Sequence, residues 1–388
     1  MKSHRPLIPF ILYLFVIGAI NSFIVSYFPL YFQNKGLTTS EIGRFLAIGT
    51  FFGLLGQPIW GFISDKYKTV KKVLITVIIG SLLGMVWIFQ TSSLVWIFVA
   101  GSFFYLFYNT LFPLSENLSK RMADQEGISF GVLRSWPAIG FAVLTLGSGF
   151  FFAKMGIGYL WLPMILLGMI ALILAFRLKD AKTGTKKVDY RDMGKFFKNP
   201  TLLLFFLVLS FISLAHRMND SFVSLHLLEI GGNEMLVGWL WFIAVLSEAV
   251  AFFTSAWWFR RPERPIHYII IAGFLYLIRW FLIAFIDDPI LLLAVQVFHG
   301  FCYAIFFMGA IEYLYKLLPK ELQATGHMVF VLIVFGITGI IGSYAGGYIF
   351  DAFGGPTLYF IMTILTLIGI IGLLLFNGLG KEKVKVVE

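Results

Sequence analysis

Along the 388-residue chain, apolar stretches of about twenty residues alternate with short polar breaks from one end to the other. At a helical rise of about 1.5 Å per residue, each stretch can cross a hydrocarbon layer about 30 Å thick. The pattern predicts twelve spanning helices, near 7–33, 40–64, 72–90, 94–117, 128–153 and 157–177, then 200–229, 235–259, 266–286, 289–315, 323–350 and 356–377. The longest interval, 178–199, reads LKDAKTGTKKVDYRDMGKFFKN and is poor in large aliphatic residues. It divides the chain into a six-helix bundle at 1–177, a linker at 178–199 and a second six-helix bundle at 200–388. The N-terminal run begins like a signal peptide but stays apolar through NSFIVSYFPLYF without a small-residue cleavage site, so an uncleaved first span is expected.

Composition sharpens this into an all-α membrane protein. Hydrophobic residues make up 59% and charged residues 13% of the chain, too few charges to cover a solvated surface. The net charge of +10 would suit a nucleic-acid partner if it were clustered on one surface. Instead it falls in alternate connections: Lys66, Lys68, Lys71 and Lys72, then Lys120 and Arg121, then Arg260, Arg261 and Arg264, then Lys316 and Lys320. The linker and both ends are basic too, whereas the other connections hold Glu229, Glu234, Asp287, Asp288 and Asp351. By the positive-inside rule both termini and the linker are cytoplasmic, and the charge encodes topology. The lipid bilayer is the expected partner and nucleic acid is not. The single cysteine, Cys302, excludes an intramolecular disulfide. No phosphate-binding glycine loop, zinc-ligand cluster or nucleophile–base pair occurs, so neither a cofactor nor a metal nor enzyme chemistry is expected.

The halves echo each other. GSGFFFAKMGIGYLWLPM (147–164) and AGGYIFDAFGGPTLYFIM (345–362) each place a glycine, three largely aromatic residues and a second glycine seven positions after the first. Duplicated bundles of this kind form transporters that rock around a substrate site.

Between spans 2 and 3, GFISDKYKTVKK carries Gly61, Asp65 and Lys66 ahead of a basic cluster, and here the chain resembles the major facilitator superfamily. It departs in placing Lys68 where a glycine is usual. Glu116 and Arg134, with FGVLR before the arginine, are similar to the sugar-binding pair of the oligosaccharide, nucleoside and phenylpropionate proton-symporter group, which includes lactose permease. Arg279 and His299 keep the separation of an arginine and a histidine in that group. The resemblance implies the twelve-helix major facilitator fold in two pseudo-symmetric bundles, gating roles for Asp65 and Lys66, and substrate recognition by Glu116 and Arg134. Cys302 stands where lactose permease has its protonated carboxylate and Gln296 replaces one of its lysines, so coupling through that permease's own carboxylate is excluded.

The residues themselves leave alternatives open. Glu116 and Arg134 fall at similar depth on consecutive antiparallel helices, as a substrate pair or as an ion pair locking the two helices. Asp220, Glu248, Arg279 and His299 all fall roughly 12–18 Å below the outer face, on four different helices. Arg217 and Asp220 are three apart, which suits a pair along one helix as well as proton coupling. Glu248, in WLWFIAVLSEAVAFF, is the first proton-carrier candidate, because an acid in an apolar context can exchange a proton near neutral pH. His299 is the second, with a packing histidine as its alternative. Arg279 suits an anionic ligand or a proton partner. Glu312, one turn before Lys316, suggests a gating or loop-anchoring ion pair, with Arg260 and Arg261 as further partners. Asn21, Tyr27, Gln57, Tyr105, Tyr108, Asn109 and Trp136 are candidate lining, with Trp136 placed to stack on a ring. His226, His267 and His327 sit near helix ends and are expected at the surface.

Together these features predict a monomeric, proton-coupled symporter of the cytoplasmic membrane. It imports a small-molecule substrate (a sugar, nucleoside or aromatic acid) by alternating access. Proton-coupled efflux of lipophilic compounds or lipids is the alternative within transport, and a membrane sensor or scaffold is the alternative outside it.

Overall fold

The computed structural model describes residues 7–178, 180, 199–259 and 264–380. Most of the linker, both chain ends, Arg260 and Arg261 lie outside the described residues. Among the described residues the chain is helical and contains no strand. Hydrocarbon cannot satisfy free backbone N–H and C=O groups, and a helix satisfies them within one segment.

The residues group into two compact units. One takes the helices through α8 together with Asn233–Phe242, and the other takes the rest from α9 onward. In the first unit the helices are α1 (Leu7–Ser26), α2 (Phe28–Asn34), α3 (Thr39–Tyr67), α4 (Val70–Gln90), α5 (Leu94–Tyr108), α6 (Leu111–Glu126), α7 (Phe130–Met155) and α8 (Trp161–Arg177). Helices α1 and α2 form the first span, bent at Tyr27, while α5 and α6 form the fourth, interrupted at Asn109 and Thr110. Helix α1 packs along α7 and α8, and α5 lies against α3 and α4. The α1–α7 crossing is so close that a Cβ on Gly18 would strike the Pro137 carbonyl. Tyr27 is fully buried, and its hydroxyl donates to the Thr145 carbonyl at 2.6 Å, so it is a packing residue rather than the lining expected. Tyr105 and Tyr108 are buried as well.

Caps fix where the helices of this unit begin and end. Thr38 and Glu41 form a reciprocal capping box at the start of α3. At the start of α4 the Asp180 carboxylate, from the far side of α8, accepts from Val70 N and Lys71 N at 3.0 Å each and from the Thr69 hydroxyl at 2.5 Å. At the other end of α4, the Lys35 ammonium donates to the carbonyls of Ile88, Phe89 and Thr91 at 3.2, 3.4 and 2.7 Å. Partial burial pushes the Lys35 pKa down, and these carbonyls replace the water that its charge loses. Lys68, ending α3, sits at φ 50 and ψ 38, the only non-glycine residue at positive φ among those described. That left-handed conformation is a physical reason for a glycine in this loop, and this chain does without one.

The second unit contains α9 (Pro200–Glu229), most of α10 (Glu234–Trp258), α11 (Pro265–Ala284), α12 (Pro289–Val295), α13 (Val297–Leu317), α14 (Gln323–Val331), a π-helical turn at Leu332–Ile337, and α15 (Thr338–Gly380). Helices α12 and α13 form the tenth span, broken at Gln296. Helix α15 packs against α9 and α11, and α11 against α13. One apolar stretch covers Thr325–Gly378, and Gly354 interrupts it at φ 80 and ψ 172, separating the eleventh and twelfth spans. Gly156 holds φ 86 and ψ 149 between the fifth and sixth spans. These are the second glycines of the repeated motif, so the repeat marks one backbone turn used twice, which only glycine adopts without strain.

Candidate functional site

In the first unit, Glu116 in the middle of α6 meets Arg134 in the first turns of α7, Oε1 to Nη1 at 3.7 Å. Their side chains are 54% and 68% exposed. A single long contact between exposed groups contributes about 0–1 kcal/mol, which is weak for a lock between helices. Exposed charges inside apolar spans belong on a face open to polar contents. Asn109, at the α5–α6 break, takes a weak bond from Gln57 Nε2 to its carbonyl, at 3.5 Å. Asn21 Oδ1 accepts from the Tyr108 hydroxyl at 3.1 Å, tying α1 to α5. Trp136 is half-buried on α7. It lies roughly 200° around the helix from Arg134, so the two side chains leave α7 on different faces.

The second unit assembles a polar cluster in the interior of the bundle. Asp220 Oδ2 pairs with Arg217 Nη2 at 2.8 Å and stands 3.5 Å from His216 Nε2. The other ring nitrogen of His216, Nδ1, lies 3.1 Å from the Tyr276 hydroxyl. Behind Asp220, Asn219 donates to its Oδ1 at 3.4 Å and accepts from the Tyr359 hydroxyl at 3.1 Å. The His299 ring centroid is 5.5 Å from that of His216. Glu248 neighbours His299 through the backbone: α10 and α13 approach so closely at Gly300 that a Cβ there would collide with the Glu248 backbone. Ser247 fills the break in the tenth span, accepting from Gly300 N at 2.9 Å.

Arg279 is 1% exposed. Its Nη2 donates to Gln296 Oε1 at 2.7 Å, and its guanidinium lies over the Trp280 ring, 4.4 Å from the centroid. The remaining buried nitrogens, Nε and Nη1, have no hydrogen-bond partner. A neutral amide therefore holds this cation.

The structure thus brings Arg217, Asp220 and His299 into one cluster with Arg279 and Glu248 on the adjoining helices. Glu312 stays apart, and it forms no ion pair among the described residues. Its suggested partners Arg260 and Arg261 lie outside the described residues. Asp65 and Lys66 are exposed at the end of α3, with Lys66 Nζ 5.7 Å from the Tyr67 ring centroid. His226 is a correction: instead of sitting on the surface, it is 0% exposed and bonds Glu229 at 2.9 Å, which in turn accepts from Gly355 N.

Sequence reasoning missed His216, and it noted Gln296 only as the replacement of a lysine, not as the partner of Arg279. The signal for His216 was its place four residues before Asp220, one turn away on the same helical face. For Gln296 it was an amide inside an apolar run, where a buried polar group needs a partner.

Comparison with known proteins agrees with this architecture. The family model described as MFS_1 like family matches residues 10–362. The chain is 26% identical to an uncharacterized transporter of Bacillus subtilis, YwbF, over 87% of this chain and 84% of that protein. It is 25% identical to the maltose permease of Geobacillus stearothermophilus over 98% of this chain and 97% of the permease. The crystal structure of the nucleoside transporter NupG superposes with a TM-score of 0.84, at 15% identity, over 97% of this chain and 99% of NupG. The chain belongs to the MFS_1-like family: it is a multi-pass membrane transporter of the major facilitator fold and not an enzyme.

Proposed function

We propose that the protein imports a small polar or aromatic solute together with protons, by alternating access across the cytoplasmic membrane. In this reading the bundles 1–177 and 200–388 act as its two domains, the linker and both termini face the cytoplasm, and a single chain is the working unit. The maltose permease relationship supports solute uptake. Glu116 and Arg134 contact the solute, with Asn109, Asn21 and Arg279 as further polar contacts.

One observation supports proton coupling most strongly. His216 has both ring nitrogens engaged, one at the Tyr276 hydroxyl and one at the Asp220 carboxylate. An imidazole so placed can take up a second proton and, as the imidazolium, hand it to the Asp220 carboxylate or release it, according to the charge around it. The His299 ring lies 5.5 Å from that of His216, and the Glu248 backbone meets Gly300 beside His299, so a proton held among these groups can answer to bound solute. Asp65 and Lys66 serve the conformational change.

The test uses reconstituted vesicles. Glu248→Gln and Asp220→Asn are each expected to keep exchange of labelled solute and to lose accumulation against a gradient. Undiminished accumulation in both variants would remove these carboxylates from coupling.

A further inference from the structure

Beside the polar cluster, the second unit carries a set of rings that proton coupling does not use. Tyr303 and Phe307 of α13 stack at 5.8 Å with 27° between their planes. Phe252 of α10 meets them edge-on at 6.2 and 6.4 Å. Phe335 of the π-helical turn lies 6.3 Å from Tyr303 and 6.2 Å from Phe307. Arg217 rests over the Phe335 ring with Cζ 5.1 Å from its centroid, and His216 stacks on Tyr303 at 5.4 Å and 13°.

Three features separate these rings from packing and from lipid-facing aromatics. All four are half-buried, whereas the packing aromatics of this unit, such as Tyr276, Trp280 and Tyr359, are fully buried. Phe335 lies under Arg217 and Tyr303 lies on His216, which brings the rings up to the Arg217–Asp220 pair, whose side chains keep 25% and 20% exposure. A charged pair is costly against hydrocarbon, so this wall faces polar contents. Phe335 is also aimed by an irregular backbone: π turns are rare and concentrate at functional sites. Ser213 and Thr338 both bond the Val334 carbonyl that this turn frees, which fixes its register.

We infer that Phe252, Tyr303, Phe307 and Phe335 form a subsite for a planar aromatic ring, with Arg217 and Asp220 at its polar edge. This inference rests on the uptake reading and names the solute class within it. A pyranose carries hydroxyls around its whole rim, and burying them without partners is costly. Here the charged pair lies at one edge, the His327 ring stands beyond Phe307, and the wall between them offers ring faces and edges. A solute with a flat apolar face and one hydrogen-bonding edge matches, which is the shared chemistry of a nucleobase and an aryl acid.

The experiment is calorimetric titration of the full-length protein in nanodiscs with three probes, uridine, 3-phenylpropionate and maltose. At least one aromatic probe is expected to bind, and which one does separates nucleobase from aryl recognition. Tyr303→Leu and Phe335→Leu should each weaken that probe about tenfold or more, the range for losing a stacking partner. Phe335→Tyr, which keeps the ring, should retain binding, and Phe252→Leu provides a second route if a leucine variant misfolds. Binding of maltose alone overturns the aromatic subsite and leaves uptake standing. Aromatic binding that none of the folded leucine variants changes overturns it too. If all three probes fail to bind and none drives uptake in vesicles, the subsite and the uptake reading fall together.

Discussion

Replacing Gln296 with leucine isolates the interaction that holds Arg279. The wild-type guanidinium is 1% exposed and has one hydrogen bond, 2.7 Å long, to the Gln296 carbonyl oxygen. A hydrogen bond to a charged group contributes about 1.5–3 kcal/mol. Against that loss, Gln296 Nε2 is itself buried without a partner, and leucine removes that unsatisfied donor. Cation–π contact with Trp280 survives the substitution. The net cost is therefore about 1–2 kcal/mol, a factor of roughly 5–30 in the unfolding equilibrium. The assay is reversible unfolding of the detergent-solubilised protein, followed by tryptophan fluorescence, for wild type, Gln296→Leu, Arg279→Leu and the double variant. Arg279→Leu alone should strand the amide, and the double variant should cost less than the two single changes together, because a buried polar pair exchanged for apolar groups is often close to neutral. Additivity within about 0.3–0.5 kcal/mol would refute the idea that the amide holds the cation.

Glu116→Gln should lower solute affinity at least about tenfold while costing no more than about 1 kcal/mol of stability, since its contact with Arg134 is long and exposed; parallel binding and unfolding measurements check both. Lys68→Gly should stabilise the protein by up to about 1 kcal/mol, because the φ of 50 burdens lysine and not glycine; a lower unfolding midpoint would argue against it. Asp180→Ala should cost about 0.5–2 kcal/mol and speed hydrogen exchange at the Val70 and Lys71 amides, which lose their carboxylate acceptor.

Much of this molecule was legible in its sequence because a membrane imposes a simple rule, twenty or so apolar residues per crossing. The spans at 200–229 and 157–177 fall on the residues expected, with Asn199 capping α9 and Arg177 ending α8. The breaks inside spans were legible only in part. Pro113 lacks an N–H for the Asn109 carbonyl and crowds it, which accounts for the break at Asn109–Thr110, whereas Gln296 interrupts its helix without proline or paired glycines and the π turn at Leu332–Ile337 has an ordinary apolar sequence. Such irregularities depend on what neighbouring helices offer, as Ser247 does for the freed Gly300 amide.

The candidate site was readable where charge stood out against apolar surroundings, as for Arg279 and Asp220. It was less readable where a residue type has common ordinary uses. His216 passed unnoticed for this reason, and His226 was placed at the surface although Glu229, three residues on, bonds its buried ring. Tyr27 shows the opposite error: a polar tip suggested lining, but the hydroxyl is consumed by the Thr145 carbonyl. One-dimensional spacing gives depth along a helix, and facing comes from the packing.

Proton movement in reconstituted vesicles tests the central claim most directly. With protein in sealed vesicles and a pH-sensitive dye outside, addition of a sugar, a nucleoside or an aromatic acid is expected to draw protons inward for at least one of them. That signal should vanish in Asp220→Asn and in Glu248→Gln. Proton release driven by hydrophobic cations, with silence for all three solute classes, would contradict symport and point to efflux.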